Sequence, residues 1–114
     1  LVQKHRAEDP TVLPAHEALA LATTEASRAF RLGKGTVEPG EAADLILVDF
    51  TGPATQPLHD PVSDLVYAAH GGVVHTTICH GRVLMWDRRV EVADEAEVLW
   101  EARRVAAELV GGQA

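Results

Sequence analysis

The sequence lacks the features of several large protein classes. It has one cysteine, Cys79, one methionine, Met85, and no methionine at position 1. A single cysteine excludes an internal disulfide and any zinc site built on several cysteines, and it fits a reducing compartment. No apolar run approaches the roughly 20 residues that a membrane span needs, and no cationic and apolar leader opens the chain. We therefore expect a cytoplasmic protein without a membrane segment.

Basic residues are also scarce. Lys and Arg number 10 against 17 Asp and Glu, which gives a formal net charge of −7 with neutral histidine. The acidic excess lies in residues 41–114, and no basic stripe occurs anywhere. Because binding to nucleic acid depends on neutralising its phosphates, a nucleic-acid partner is not expected.

The length of 114 residues fits one small domain and is too short for a barrel enzyme of about 200–250 residues. With 46% hydrophobic residues the chain can still form a core. Leu1 in place of an initiator methionine suggests a cut product, so we expect a fragment of a longer protein.

The pattern along the chain divides it into three zones, residues 1–36, 37–93 and 94–114. The first zone is predicted to be helical up to Leu32, with Pro14 in the first turn of one helix. Thr24 is expected to cap a second helix that ends at Gly33.

The second zone is predicted to be mainly β-structure. A Pro39-Gly40 turn precedes a strand, whose continuous apolar run Leu45–Val48 indicates cover on both faces. Asp60 and Pro61 are expected to begin a short helix that Gly71-Gly72 ends. A three-stranded meander follows, with strands at Val73–Cys79, Arg82–Trp86 and Val90–Val92 and turns at His80-Gly81 and Asp87-Arg88-Arg89.

The third zone is predicted to be one amphipathic helix. Asp94 is placed to cap it, and Glu97 completes a capping-box-like start. Apolar residues with helical spacing follow, and Gly111-Gly112 is expected to end the helix.

The six histidines form no recognised metal motif, since the sequence contains neither His-x-His nor His-Glu-x-x-His. His75 and His80 lie five residues apart, so along a strand their side chains would point to opposite faces. Cys79 and His80 face the same difficulty. We therefore assign no metal ligand, no cofactor ligand and no catalytic residue within this chain.

Individual polar residues are given structural roles. Cys79 is expected to be a buried, inert thiol, and His70 a residue at a helix end. His5 and His16 are expected to be solvated. An acid–base role for His59 with Asp60 is an alternative to simple capping by Asp60.

One long pattern resembles a known family. It comprises the helical runs Glu17–Thr23 and Ala26–Leu32, the turn Glu38-Pro39-Gly40 and the strand Ala43–Asp49. This pattern is similar to the C-terminal part of the metal-dependent amidohydrolase superfamily. Further elements, namely His59-Asp60-Pro61, Leu65-Val66-Tyr67, Val73–Gly81 and Val83–Asp87, resemble its aminohydrolase and chlorohydrolase branch, which includes adenosine-derivative deaminases and triazine hydrolases.

The resemblance implies an α+β fragment. Residues 1–36 would be the last helices of a (β/α)8 barrel, residues 37–93 the C-terminal half of a small β-sandwich, and residues 94–114 a final helix. The family's divalent metal, zinc or iron, is held by barrel residues that include a His-x-His, so no position here inherits a catalytic role. The expected partner is the missing N-terminal barrel portion or a second copy of the chain.

The resemblance therefore implies that the parent protein hydrolyses a carbon–nitrogen bond of a small heterocycle, with this segment structural. The alternative is a free-standing binding or scaffold module that kept the sandwich and lost the barrel.

Overall fold

The computed structural model describes residues 2–111 and shows five helices and four strands in that range. The helices are α1 (Val2–Ala7), α2 (Ala15–Ala22), α3 (Thr24–Phe30), α4 (Pro61–Tyr67) and α5 (Glu95–Gly111). The strands are β1 (Leu45–Val48), β2 (Val74–Cys79), β3 (Arg82–Trp86) and β4 (Arg89–Val90). Short turns of 3₁₀-helix lie at Pro53–Thr55 and Gly71–Val73.

The four strands form one antiparallel sheet in the order β1-β2-β3-β4. The predicted meander is therefore confirmed, and the predicted first strand joins it beside β2, where Leu45 pairs with Ile78. The first strand coincides with the apolar run Leu45–Val48, and the last strand spans Arg89–Val90 rather than Val90–Val92.

Two tight turns connect the meander, and both use left-handed backbone conformations. His80 and Gly81 have φ angles of 47° and 75°, and Asp87 and Arg88 have φ angles of 46° and 62°. Positive φ at both central residues is the turn geometry that matches the twist of an antiparallel hairpin.

The ion pair between Arg88 and Asp49 joins the second turn to the end of β1. The guanidinium of Arg88 lies 2.7 Å from the Asp49 carboxylate and also donates to the Gly72 carbonyl at 3.1 Å. Hydrogen bonds from the Thr51 hydroxyl and from Arg88 lower the pKa of the Asp49 carboxyl well below its usual range. These contacts fix a turn that contains no glycine.

The N-terminal helices are shorter and more interrupted than predicted. A loop separates α1 from α2, with Glu8 and Leu13 at positive φ, and Pro14 is the N-cap of α2 rather than its first helical residue. Helix α2 packs against both α3 and α4.

The prediction that Thr24 caps the second helix is wrong. Its hydroxyl donates to the Ala20 carbonyl at 3.4 Å, one turn back, so it competes for a carbonyl of α2. Helix α3 ends at Phe30 because Arg31, with φ of 58°, takes the left-handed position that we assigned to Gly33.

Helix α4 begins as predicted. The Asp60 carboxylate accepts a hydrogen bond from the Val62 amide at 3.0 Å, and Pro61 follows it at the first helical position. The helix ends at Tyr67, before the expected Gly71-Gly72, and Ala68 is its C-cap. His70 is not a helix-end residue, because its Nδ1 accepts from the Gly72 amide at 3.0 Å and caps the next 3₁₀ turn.

The long helix α5 is confirmed from Glu95, and its N-cap is Asp94, whose carboxylate accepts from the amides of Ala96 and Glu97. Gly111 lies inside the helix, and the predicted stop at Gly112 lies outside the described residues. Within the described part of the chain, α5 makes no extensive contact with another helix or strand. Its apolar side chains are exposed, including Leu99 at 54% and Leu109 at 72%.

The core is very small. Within residues 2–111 the buried residues are Ala15, Thr55, Val73 and Thr76. The prediction that β1 is covered on both faces is wrong for this structure, since Ile46 is 55% exposed and Leu47 48% exposed.

The accessible surface and size also exceed those of a self-contained domain. The surface is 9016 Å², whereas a folded monomer of this mass exposes about 6,100 Å². The radius of gyration is 18.8 Å, compared with about 13 Å for a packed domain of this length. Among the described helices, none has both the length and the apolar character to cross a membrane.

Candidate functional site

Three side chains of different chemistry meet where β1 begins and β2 ends. One ligand atom from each of Asp44, Cys79 and His80 lies within 4.8 Å of the other two, and all three residues are exposed. Within residues 2–111 this is the one group of three His, Cys, Asp or Glu side chains that is close enough to share a cation.

The backbone of the sheet explains why these residues meet. Cys79 is the last residue of β2, and His80 turns out of the strand with φ of 47°. Asp44 precedes β1, and its carboxylate accepts a hydrogen bond from the His80 amide at 2.7 Å. The Gly81 amide donates to the Ala43 carbonyl at 3.0 Å, which holds the turn beside the start of β1.

The same contacts set the charge of the group. The hydrogen bond from the His80 amide, with a second from the Cys79 thiol, lowers the pKa of the Asp44 carboxyl. The hydrogen bond to Asp44, with a further contribution from desolvation, raises the pKa of the Cys79 thiol. The two shifts have the same cause and favour an ionised Asp44 carboxyl beside a protonated Cys79 thiol.

This arrangement corrects two expectations from the sequence. Cys79 is exposed rather than buried. Cys79 and His80 can approach one ion, because His80 lies in a left-handed turn and does not continue the alternation of the strand. The third donor, Asp44, was missed because it lies 35 residues before Cys79, and only strand pairing brings the two together.

His75 makes its contacts with residues outside the group of Asp44, Cys79 and His80. His75 Nε2 lies 3.3 Å from the Asp87 carboxylate, and its Nδ1 lies 2.8 Å from the Thr76 hydroxyl. The ring also meets Trp86 edge to face, with 6.1 Å between the ring centres. Since these contacts join β2 to β3 and to the turn that follows β3, they support a structural role for His75.

The other histidine candidates lie apart from this group. His5, His16 and His59 are exposed, in α1, in α2 and before α4. The Asp60 carboxylate faces the backbone of α4, so its observed contact is that of a helix cap.

Comparison with protein families places most of the chain in one of them. Residues 1–84 match the model described as the amidohydrolase family. This span includes helices α1–α4, strands β1 and β2, and most of β3.

Curated relatives that match the chain include deaminases. The 5'-deoxyadenosine deaminase of Methanoregula boonei is 52% identical over 110 residues, which are 96% of this chain and 24% of that protein. The 5-methylthioadenosine/S-adenosylhomocysteine deaminase of Moorella thermoacetica is 46% identical over 100 residues, which are 86% of this chain and 23% of that protein. The chain thus spans about a quarter of the length of these relatives, in their C-terminal portion.

Solved structures show the same relationship. An adenosine deaminase from Xanthomonas campestris with bound zinc superposes with a TM-score of 0.83 and 36% identity, covering 89% of this chain and 24% of that one. The atrazine chlorohydrolase of Arthrobacter aurescens, complexed with zinc, gives a TM-score of 0.75 and 27% identity over 88% of this chain and 23% of its own.

Proposed function

The chain belongs to the amidohydrolase family, and we propose on that premise that it is the C-terminal part of an enzyme that deaminates an adenosine derivative. In that reaction water supplies oxygen to the carbon that carries the amino group. The C–N bond breaks and ammonia leaves. The observation that carries the proposal is the 52% identity to a 5'-deoxyadenosine deaminase over 96% of this chain.

The substrate class follows from the same comparison. The two deaminase relatives described above are 52% and 46% identical to the chain, whereas the chlorohydrolase structure is 27% identical. Both deaminases are named for adenosine nucleosides changed at the 5' position. A 5'-modified adenosine is therefore the preferred substrate class, and a chlorinated triazine is the second candidate because of the chlorohydrolase structure.

The surface of the chain supports a structural role within a larger protein. Helices α2 and α3 would close the barrel, β1–β4 would form part of the sandwich, and α5 would pack across them. We place one division near residue 36, where the helical zone meets the β zone. We place the other near residue 93, just before α5 begins. About 2,900 Å² of accessible surface beyond that of a packed monomer would then be covered by the rest of the protein.

A divalent metal is implied by the zinc-bound structures of the family. The described residues do not fit a hydrolytic metal centre. Their one three-donor group is exposed on a hairpin turn, whereas such a centre keeps a metal-bound water in a shaped, dry cavity. We therefore derive no step through a metal from this chain and assign the reaction centre to residues outside positions 2–111.

The proposal is tested by the protein encoded by the complete reading frame that contains this chain. We expect a barrel with a His-x-His upstream of Leu1, and release of ammonia from 5'-deoxyadenosine or 5'-methylthioadenosine. The 114-residue chain alone should release none. A reading frame without such a barrel would favour the free-standing module, and release of chloride from a triazine without deamination would favour the chlorohydrolase.

One variant tests the alternative that His59 acts as an acid or base. His59→Asn should keep full deaminase activity, because His59 lies in an exposed loop before a capped helix. If this variant loses activity while keeping its thermal stability, His59 acts in the chemistry and our structural assignment is wrong.

A further inference from the structure

We propose that Asp44, Cys79 and His80 form a zinc-binding site at the β2–β3 turn. The inference does not rest on the proposed deaminase function, since all three donors lie within the described residues. It begins from the chemistry of the donors. A thiolate, an imidazole and a carboxylate are the three side-chain ligands that zinc accepts in proteins.

The distances require only a small closure. Zinc binds sulfur at about 2.3 Å and nitrogen or oxygen at about 2.0–2.2 Å, so tetrahedral ligand atoms lie roughly 3.4–3.7 Å apart. The ligand atoms of the three residues already lie within 4.8 Å of one another. The largest separation that this allows exceeds the tetrahedral spacing by about 1 Å, and the three side chains are exposed. A fourth position remains for water.

The carboxylate is held in place by the backbone. One oxygen of Asp44 accepts from the His80 amide at 2.7 Å, which leaves the second oxygen for a cation. Such a contact orients a metal ligand and commonly changes affinity by about 10–100-fold when it is lost. The Gly81–Ala43 hydrogen bond and the pairing of Leu45 with Ile78 hold the two chain segments at this spacing.

Zinc binds the thiolate form of a cysteine, so binding must remove the thiol proton of Cys79. The S–H bond breaks, a sulfur–zinc bond forms, and the proton passes to solvent. Binding therefore releases about one proton from the thiol per zinc and weakens as the pH falls.

The test uses Co²⁺ as a spectroscopic substitute for zinc. We expect the 114-residue chain to develop a cobalt–thiolate charge-transfer band in the near ultraviolet, and added Zn²⁺ to abolish it. Calorimetry with Zn²⁺ in two buffers of different ionisation enthalpy should report the released proton. If the reading frame is longer, the whole protein is used, and the spectrum of its Cys79→Ser variant with Co²⁺ is subtracted from that of the wild type.

Matched variants identify the donors. Cys79→Ser should remove the band, and His80→Asn and Asp44→Asn should each weaken zinc binding about tenfold or more. Asparagine tolerates the left-handed conformation at position 80, and at position 44 it can still accept from the His80 amide. His75→Asn, which changes a histidine of the same hairpin outside the group, should leave the affinity unchanged.

Two results would overturn the proposal. The first is the absence of the charge-transfer band in both the chain and the whole protein. The second is a band whose affinity is the same in wild type, His80→Asn and Asp44→Asn, because cobalt would then be bound by the thiol alone.

Discussion

Single residues of this chain take their roles from partners that are distant in the sequence. Asp49 and Arg88 lie 39 residues apart and form a 2.7 Å ion pair. The Asp44 carboxylate accepts a hydrogen bond from the amide of His80, which lies 36 residues later in the sequence. Each carboxylate lies at one end of β1, so the two contacts fix both ends of that strand to the meander. Neither pairing is visible in the local pattern that predicts the strands.

The Asp49 contacts make stability depend on pH in a defined direction. Because the folded state lowers the pKa of Asp49, the ionised carboxylate contributes stability above its unfolded pKa of about 3.9. That contribution is lost as the pH falls towards the lower folded value. We expect Asp49→Asn to be less stable than wild type by a constant amount between pH 7 and 5, with the difference shrinking below about pH 4.

Urea unfolding at equal protein concentration measures this difference. Asparagine can still accept from Thr51, so the variant removes the charge while keeping an acceptor. A difference that persists unchanged at pH 2.5 would mean that the ion pair with Arg88 is not its source.

At the scale of elements, caps and turns agree with the sequence more closely than helix ends do. Asp60 and Asp94 cap α4 and α5 as predicted, and Glu38-Pro39-Gly40-Glu41 forms the expected turn, with Gly40 at φ of 94°. Each of these features depends on two to four adjacent residues, so it can be predicted from the local sequence alone. The ends of α3 and α4 differ from prediction. Their C-caps are Arg31 and Ala68, whereas we expected glycines to end both helices.

The Asp60 cap gives a prediction for helix α4. Asp60→Ala should lower the free energy of unfolding by about 1 kcal/mol, because the Val62 amide loses its acceptor. Asp60→Asn should have little effect, since asparagine is an equally good cap. Urea unfolding compares the three proteins, and an equal loss in both variants would show that the charge rather than the cap is responsible.

At the scale of the whole molecule, the surface exceeds what one small core can account for. The accessible area is about 1.5 times that of a packed monomer of this mass. The apolar face of α5 and the edge strand β1, with Ile46 and Leu47 exposed, both lie open. An exposed apolar strand at a sheet edge is a site of association with other chains.

We therefore expect the 114-residue chain by itself to associate in solution. Sedimentation velocity should show dimers or larger species, and addition of the remaining barrel portion should convert them to a defined complex. Ile46→Lys should reduce self-association through the sheet edge, whereas Val37→Lys, at an exposed loop residue outside the sheet, should not. A folded monomer with cooperative unfolding would contradict this expectation.

The sequence alone determined the family, the alternation of helical and β zones, and the caps and turns that begin or connect them. These depend on short-range residue patterns and on a resemblance to the amidohydrolase family that extends over most of the chain. The tertiary structure decided which residues meet. It placed Asp44 beside Cys79 and His80, because strand pairing and a left-handed turn override the alternation of side chains along a strand. It also showed that the apolar run of β1 is open to solvent here, because the faces of a strand are covered only by whatever packs against them.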